Sequence, residues 1–195
     1  MTAHRARRVI QTFLLTLMLT GVPAIAVASD AAAATPYCGI SWGSLAKSSP
    51  TGANEITNVR SGANGITNVR TGRHACYDRI VIDGAAAGSV RYVPAVLTQG
   101  KGDVVPVRGA AKIEIVVRAN DYNINTGAAT YAPANPRELT NVTGYSTFRQ
   151  VAWGGSFEGY TTIGLGVRAR LPMRIFTLPG PGNTSRLVID VAHHW

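Results

Sequence analysis

The chain has 195 residues, 46% hydrophobic and 15% charged, with a formal charge of +9 at pH 7. That length suits one domain with an added segment, and the balance is too apolar for a disordered chain and too sparsely charged for a coiled coil. A wealth of Gly, Thr, Asn and Val favours short strands joined by turns.

The first element is an export signal. Arg5, Arg7 and Arg8 form a basic start, an apolar stretch runs from Val9 to Val27 with Gly21 and Pro23 inside it, and Ala26-Val27-Ala28 offers small residues at the spacing of a signal-peptidase site. The stretch is also just long enough to anchor the chain in a membrane. The Gly-x-Pro break before the small residues favours cleavage after Ala28. Cleavage would remove three Arg and no acid, lowering the formal charge from +9 to +6. An exported chain that stays basic suits an anionic surface, although solubility alone accounts for such an excess equally well. The Arg are scattered and carry no recognition motif, which argues against nucleic acid.

Cys38 and Cys76 are the only cysteines. In an oxidising compartment they are expected to pair, stabilising the fold by roughly 4 kcal/mol on the chain-entropy account. Two thiols alone do not make a metal site. The loop between them holds a ten-residue phrase spoken twice, TGANEITNVR (51–60) and SGANGITNVR (61–70). Each copy has only two large aliphatic residues, Ile56 and Val59, then Ile66 and Val69, so the pair cannot form the continuous buried face of a solenoid. It reads as a tandem duplication in a tethered segment, the second copy leading into the first core strand. The expected organisation is a signal segment (1–28), a tethered leader (29–72) and a domain (73–195).

Strand patterns then follow in succession. YDRIVID (77–83) precedes a Gly/Ala turn. SVRYVPAVL (89–97) is interrupted by Pro94, which suggests an edge or bulged strand. VVPV (104–107) is short, and AKIEIVVRA (111–119) alternates apolar with charged residues. A polar stretch, 120–144, reads as a long loop. STFRQVAW (146–153), SFEGYTTIGLGVRA (156–169), PMRIFTL (172–178) and SRLVIDVAHHW (185–195) complete the series, and no segment sustains a helical period. The expected class is all-β, a small sandwich of short, mainly antiparallel strands with long loops.

HACYDRIVID (74–83), FEGYTTIGLGVRARLPMRIFTL (157–178) and SRLVIDVAHHW (185–195) resemble the AMIN-like domain of exported bacterial proteins, over roughly residues 73–192. CGISWGSLAK (38–47) is similar to the leader such proteins carry. That family is related to the AMIN module of cell-wall amidases, where the module helps bring the enzyme to the division site through peptidoglycan. The resemblance implies a β-sandwich that binds rather than cuts, placed outside the cell and associated with the wall. No catalytic domain follows in this sequence, so the expectation is a free-standing binder of peptidoglycan or another anionic wall polymer, without cofactor or stable membrane insertion.

Two other classes stay open: a small secreted wall hydrolase and a module that recognises another exported protein through a sheet edge. GISWG (39–43) matches G-x-S-x-G around Ser41, with Asp190 and His193 downstream, but a nucleophile elbow needs a strand before the Ser and a helix after it. An amidase site on His74, Glu158 and His193 has no motif behind it, and neighbouring His193 and His194 would face opposite sides of a strand. Asp78, Asp83, Glu158 and Asp190 supply carboxylates for a glycosidase pair, although Asp83 and Asp190 read better as turn or Arg-pairing residues. GLGVRA (164–169) has no helix after it, so it is no dinucleotide loop. Glu158, among Gly and aromatic neighbours, reads first as part of a β-bulge and second as a site.

For binding, aromatic residues near Arg are the informative combination, since rings stack on sugars and guanidinium groups hold carboxylate or phosphate. Trp153, Phe157 and Tyr160 lie close in sequence to Arg149, Arg168 and Arg170. Trp153 and Phe157 read as core residues. Arg149, Tyr160, Arg168 and Arg170, with Glu158, are the candidate binding residues; no catalytic or metal-ligating residue is assigned.

Overall fold

A computed structural model describes residues 38–49 and 65–195. The expected signal segment (1–28) and the first copy of the repeat (51–60) lie outside the described residues. Among the described residues no helix is long and apolar enough to cross a membrane.

The fold is an all-β sandwich. In chain order its strands are β1 (Lys47–Ser49), β2 (Asn68–Arg73), β3 (Tyr77–Asp83), β4 (Gly88–Val93), β5 (Val96–Leu97) and β6 (Val104–Val105). They continue with β7 (Ala111–Val117), β8 (Phe148–Phe157), β9 (Tyr160–Val167), β10 (Met173–Pro179) and β11 (Ser185–Ala192). A five-stranded sheet runs β1-β4-β7-β9-β8, a four-stranded sheet runs β10-β11-β3-β2, and β5 pairs with β6 alone. Every pairing is antiparallel.

Period-two alternation builds the core. Ile80 and Ile82 of β3 and Leu187, Ile189 and Val191 of β11 meet Ile113, Ile115 and Val117 of β7 and Ile163, Leu165 and Val167 of β9 in one buried cluster. Each such side chain contributes about 1.5–3 kcal/mol of transfer free energy. The residues between them face outward, and those outer faces carry the chemistry described below.

Pro94 corrects one expectation. Instead of marking an edge or bulged strand, it ends β4, which lies between β1 and β7, and the chain resumes as β5. The β5–β6 pair folds back over the outer face of the five-stranded sheet, where Val96, Val105 and Val107 bury against Ala152 of β8. Close approach there explains GLGVRA: a Cβ on Gly164 would meet Val107 at 2.8 Å, and one on Gly166 would meet the Arg108 carbonyl oxygen at 1.7 Å.

The strings RIVID and RLVID become neighbours. β3 and β11 pair so that Arg79 stands opposite Asp190 and Asp83 opposite Arg186. Being antiparallel, each string presents its Arg to the other's Asp. Only one of the two crosswise pairs closes, Arg79 with Asp190; Asp83 is held by Arg70 instead.

Candidate functional site

The Cys38–Cys76 disulfide forms, with Cα atoms 5.8 Å apart. Cys76 immediately precedes β3, so the bridge draws the leader onto the end of the four-stranded sheet. There the Met173 N–H donates to the Gly43 carbonyl at 2.9 Å. Trp42 is thereby seated beside Tyr77, ring centroids 5.7 Å apart and edge to face.

Alternation places Tyr77 and Arg79 of β3, Arg174 and Phe176 of β10 and Asp190 of β11 on the outward face of this sheet. Asp190 is fully buried and holds two guanidinium groups. Arg79 donates to it through Nε at 2.6 Å and Nη2 at 2.9 Å, and Arg174 through Nε at 2.8 Å. The bonds to Asp190 are the main reason that the Arg79 pKa is raised. A carboxylate at that depth persists only because it is paired and hydrogen-bonded.

Rings enclose the two cations. Arg174 Cζ lies 4.3 Å from the centre of Trp42, 5.0 Å from Phe176 and 5.5 Å from Tyr77. Arg79 Cζ lies 5.2 Å from Tyr77 and 5.5 Å from Phe176. The exposed His74 extends the surface by stacking on Tyr77, with centroids 4.6 Å apart. Two cations over one carboxylate leave a net positive charge, and Arg174, which donates to Asp190 through Nε, keeps its side chain 38% exposed. Chemically, such rings can stack on sugar faces and such guanidinium groups can pair with carboxylate or phosphate.

The residues expected from sequence sit elsewhere, split between the two ends of the β8–β9 pair. Glu158 and Gly159 form the two-residue turn between β8 and β9, with φ of 48° and 83°. Such a turn needs positive φ at both positions. The bulge expected at Glu158 lies instead between Trp153 and Ser156. Tyr160 is exposed beside that turn, and Phe157, expected in the core, is 49% exposed; Trp153 packs partly buried against the core. Arg168 and Arg170 lie at the other end of β9, roughly 25 Å away at 3.3 Å per residue. Arg168 donates to the His193 carbonyl, while Arg170 donates to Ser44 and lies 4.9 Å from the Tyr92 ring centre. Arg149 donates to the carbonyls of Tyr145 and Phe148.

The hydrolytic constellations do not assemble. Ser41 lies in an irregular segment before β1, with no helix after it among the described residues. His193 is buried against Asp78, its Nε2 3.1 Å from Oδ1, whereas His74 stacks on Tyr77. Of the four carboxylates weighed for glycoside cleavage, Asp83 is held by Arg70, Asp190 by two Arg, and Asp78 by His193 and two backbone N–H groups. Among the described residues no three His, Cys, Asp or Glu group in a way that could hold a metal ion.

Sequence reasoning missed Trp42, Tyr77, Arg79, Arg174 and Phe176 as a set, because they come from three distant segments. The mirrored Arg and Asp of RIVID and RLVID were the one available signal. No curated protein matches this chain. The AMIN-like domain family matches residues 64–193, which include every strand from β2 to β11. With two thirds of its length so matched, the chain belongs to the AMIN-like domain family.

Proposed function

We propose that this protein is an exported, non-catalytic binding module of the cell wall, and that its aromatic–arginine face takes an anionic wall glycan, peptidoglycan first among them. Family membership supports the general reading: AMIN-like domains are generally non-catalytic, occur in exported cell-envelope proteins and suggest a binding role at the wall. The observation that carries the finer reading is the set of Arg79 and Arg174 among Trp42, Tyr77 and Phe176, over the single buried carboxylate of Asp190. Rings give sugar faces a stacking platform, and the part-exposed guanidinium of Arg174 receives an acidic substituent. Tyr160, exposed at the β8–β9 tip, is a secondary contact in this reading, while Arg149, Arg168 and Arg170 serve mainly to hold loops and chain ends.

The test is a pull-down of oxidised residues 29–195 on purified peptidoglycan, with the supernatant assayed for released fragments. Retention without release is expected. Trp42→Ala, which removes a ring from the surface and leaves the Arg79–Asp190 pair intact, should weaken retention about tenfold, the loss of roughly 1.4 kcal/mol that one stacking contact supplies. Fragments released into the supernatant would overturn the non-catalytic reading, and undiminished retention of Trp42→Ala would remove the site.

A further inference from the structure

The opposite face of the sandwich carries a cavity of about 590 Å³, within the range of ligand sites. Alternation builds its floor: Lys112 and Gln150 point outward where Ile113 and Val151 point into the core. One wall is the Val104–Val107 run, with Val104 65% exposed. The other comes from the long loop, through Arg137 and Glu138.

The polar groups there divide into spent and unspent. Gln150 is used up, accepting from the Arg108 N–H and donating to the Arg137 carbonyl. Glu138 is taken by Arg108. Neither the Lys112 ammonium nor the Arg137 guanidinium has a partner among the described residues. Three cations against one acid leave the cavity positive by two. Its wall also carries a strand edge: β6 lines the cavity and, among the described residues, pairs with β5 alone, where Val105 bonds to Val96 and alternation turns the Val104 N–H and C=O away. Apolar Val104 and Pro106 beside free cations are complementary to a chain that alternates apolar and acidic groups.

We propose that this cavity takes a short, extended, acidic segment of another exported protein, added as a strand along β6. Its backbone pairs with Val104, whose N–H and C=O point away from β5, its apolar side chains cover Val104 and Pro106, and its carboxylates reach Lys112 and Arg137. Pro106 has no N–H to offer, which ends the pairing and keeps the recognised segment short. The surface is separate from the aromatic–arginine face, so the protein can hold a wall polymer on one side and a protein on the other.

The test measures fluorescence anisotropy of labelled eight-residue peptides titrated with oxidised residues 29–195. One peptide alternates valine with glutamate, a second replaces glutamate by lysine, and a third carries proline at two central positions of the acidic peptide. The acidic peptide should bind, and the other two should bind at least about tenfold more weakly. The double variant Lys112→Ala/Arg137→Ala, with folding checked by circular dichroism, should lose the acidic peptide by a similar factor while keeping its retention on peptidoglycan. Absence of binding at millimolar protein, equal affinity for acidic and basic peptides, or full affinity in the double variant would overturn the proposal. Full affinity for the proline peptide would overturn strand addition, and displacement by an anionic polysaccharide as effective as by unlabelled peptide would reassign the cavity to polymers.

Discussion

Asp78 and Asp190 are both fully buried, yet they are stabilised in different ways. Asp190 faces outward under two guanidinium groups, whereas Asp78 faces the core and accepts from the N–H groups of Thr147 at 2.6 Å and Phe148 at 3.0 Å, with His193 on its other oxygen. Asp78→Ala should therefore destabilise the protein by about 3 kcal/mol or more, because it leaves two buried N–H groups and an imidazole unpaired. Urea unfolding measures this, and a loss below about 1 kcal/mol would show that water replaces the carboxylate. The Arg pairing of Asp190 was legible from an acid at a strand end with Arg in the mirrored string. The role of Asp78 was not, because its partners lie 69, 70 and 115 residues away.

Among the elements, the longer strands were legible because alternation and turn residues agree. The strand YDRIVID is β3 residue for residue. β1 was missed: Lys-Ser-Ser has no pattern of its own, and it is a strand only because β4 offers an edge. The position of β5–β6 over the outer face was equally hidden, although the glycines beneath it were visible. Gly166→Ala should cost at least about 2 kcal/mol, since the added methyl meets backbone; differential scanning calorimetry would register the loss, and an unchanged midpoint would mean that the β5–β6 pair moves aside freely. The disulfide acts on both stability and site. Replacing Cys38 and Cys76 together by Ser should reduce stability by up to roughly 4 kcal/mol and, with Trp42 no longer tethered, reduce peptidoglycan retention as Trp42→Ala does. Retention equal to the oxidised protein, in a folded sample, would show that the leader docks without its covalent tie.

At the scale of the whole molecule, a sandwich with a buried interior and two outer faces that each carry unbalanced cations explains why the class could be read from sequence and the site could not. Core positions announce themselves by period-two alternation, but a surface assembled from residues 42, 74–79 and 174–176 depends on β10, β11 and β3 lying side by side. Alkaline pH probes the intact assembly. Burial lifts the Tyr92 phenol above its ordinary 10.0, against a smaller opposing effect of the Leu171 backbone, and burial lifts Tyr131 in the same direction. A group whose folded pKa is raised contributes stability that is complete below its unfolded value and is lost as pH rises through the folded one. Arg70 and Arg79, raised chiefly by their bonds to Asp83 and Asp190, act in the same sense at still higher pH. These groups should contribute no change in the thermal midpoint between about pH 7 and pH 9 and a progressive fall above about pH 10. A fall complete by about pH 9 would assign alkaline sensitivity to other groups.

The most direct measurement for the central claim is a map of amide chemical shifts in oxidised, ¹⁵N-labelled residues 29–195 as soluble peptidoglycan fragments are added. Saturable shifts gathered at Trp42, residues 74–79 and residues 174–176 are the predicted result. Shifts centred instead on Arg149, on Glu158 and Tyr160, or on Arg168 and Arg170, or no shifts at millimolar fragment, would contradict an aromatic–arginine face that holds the wall.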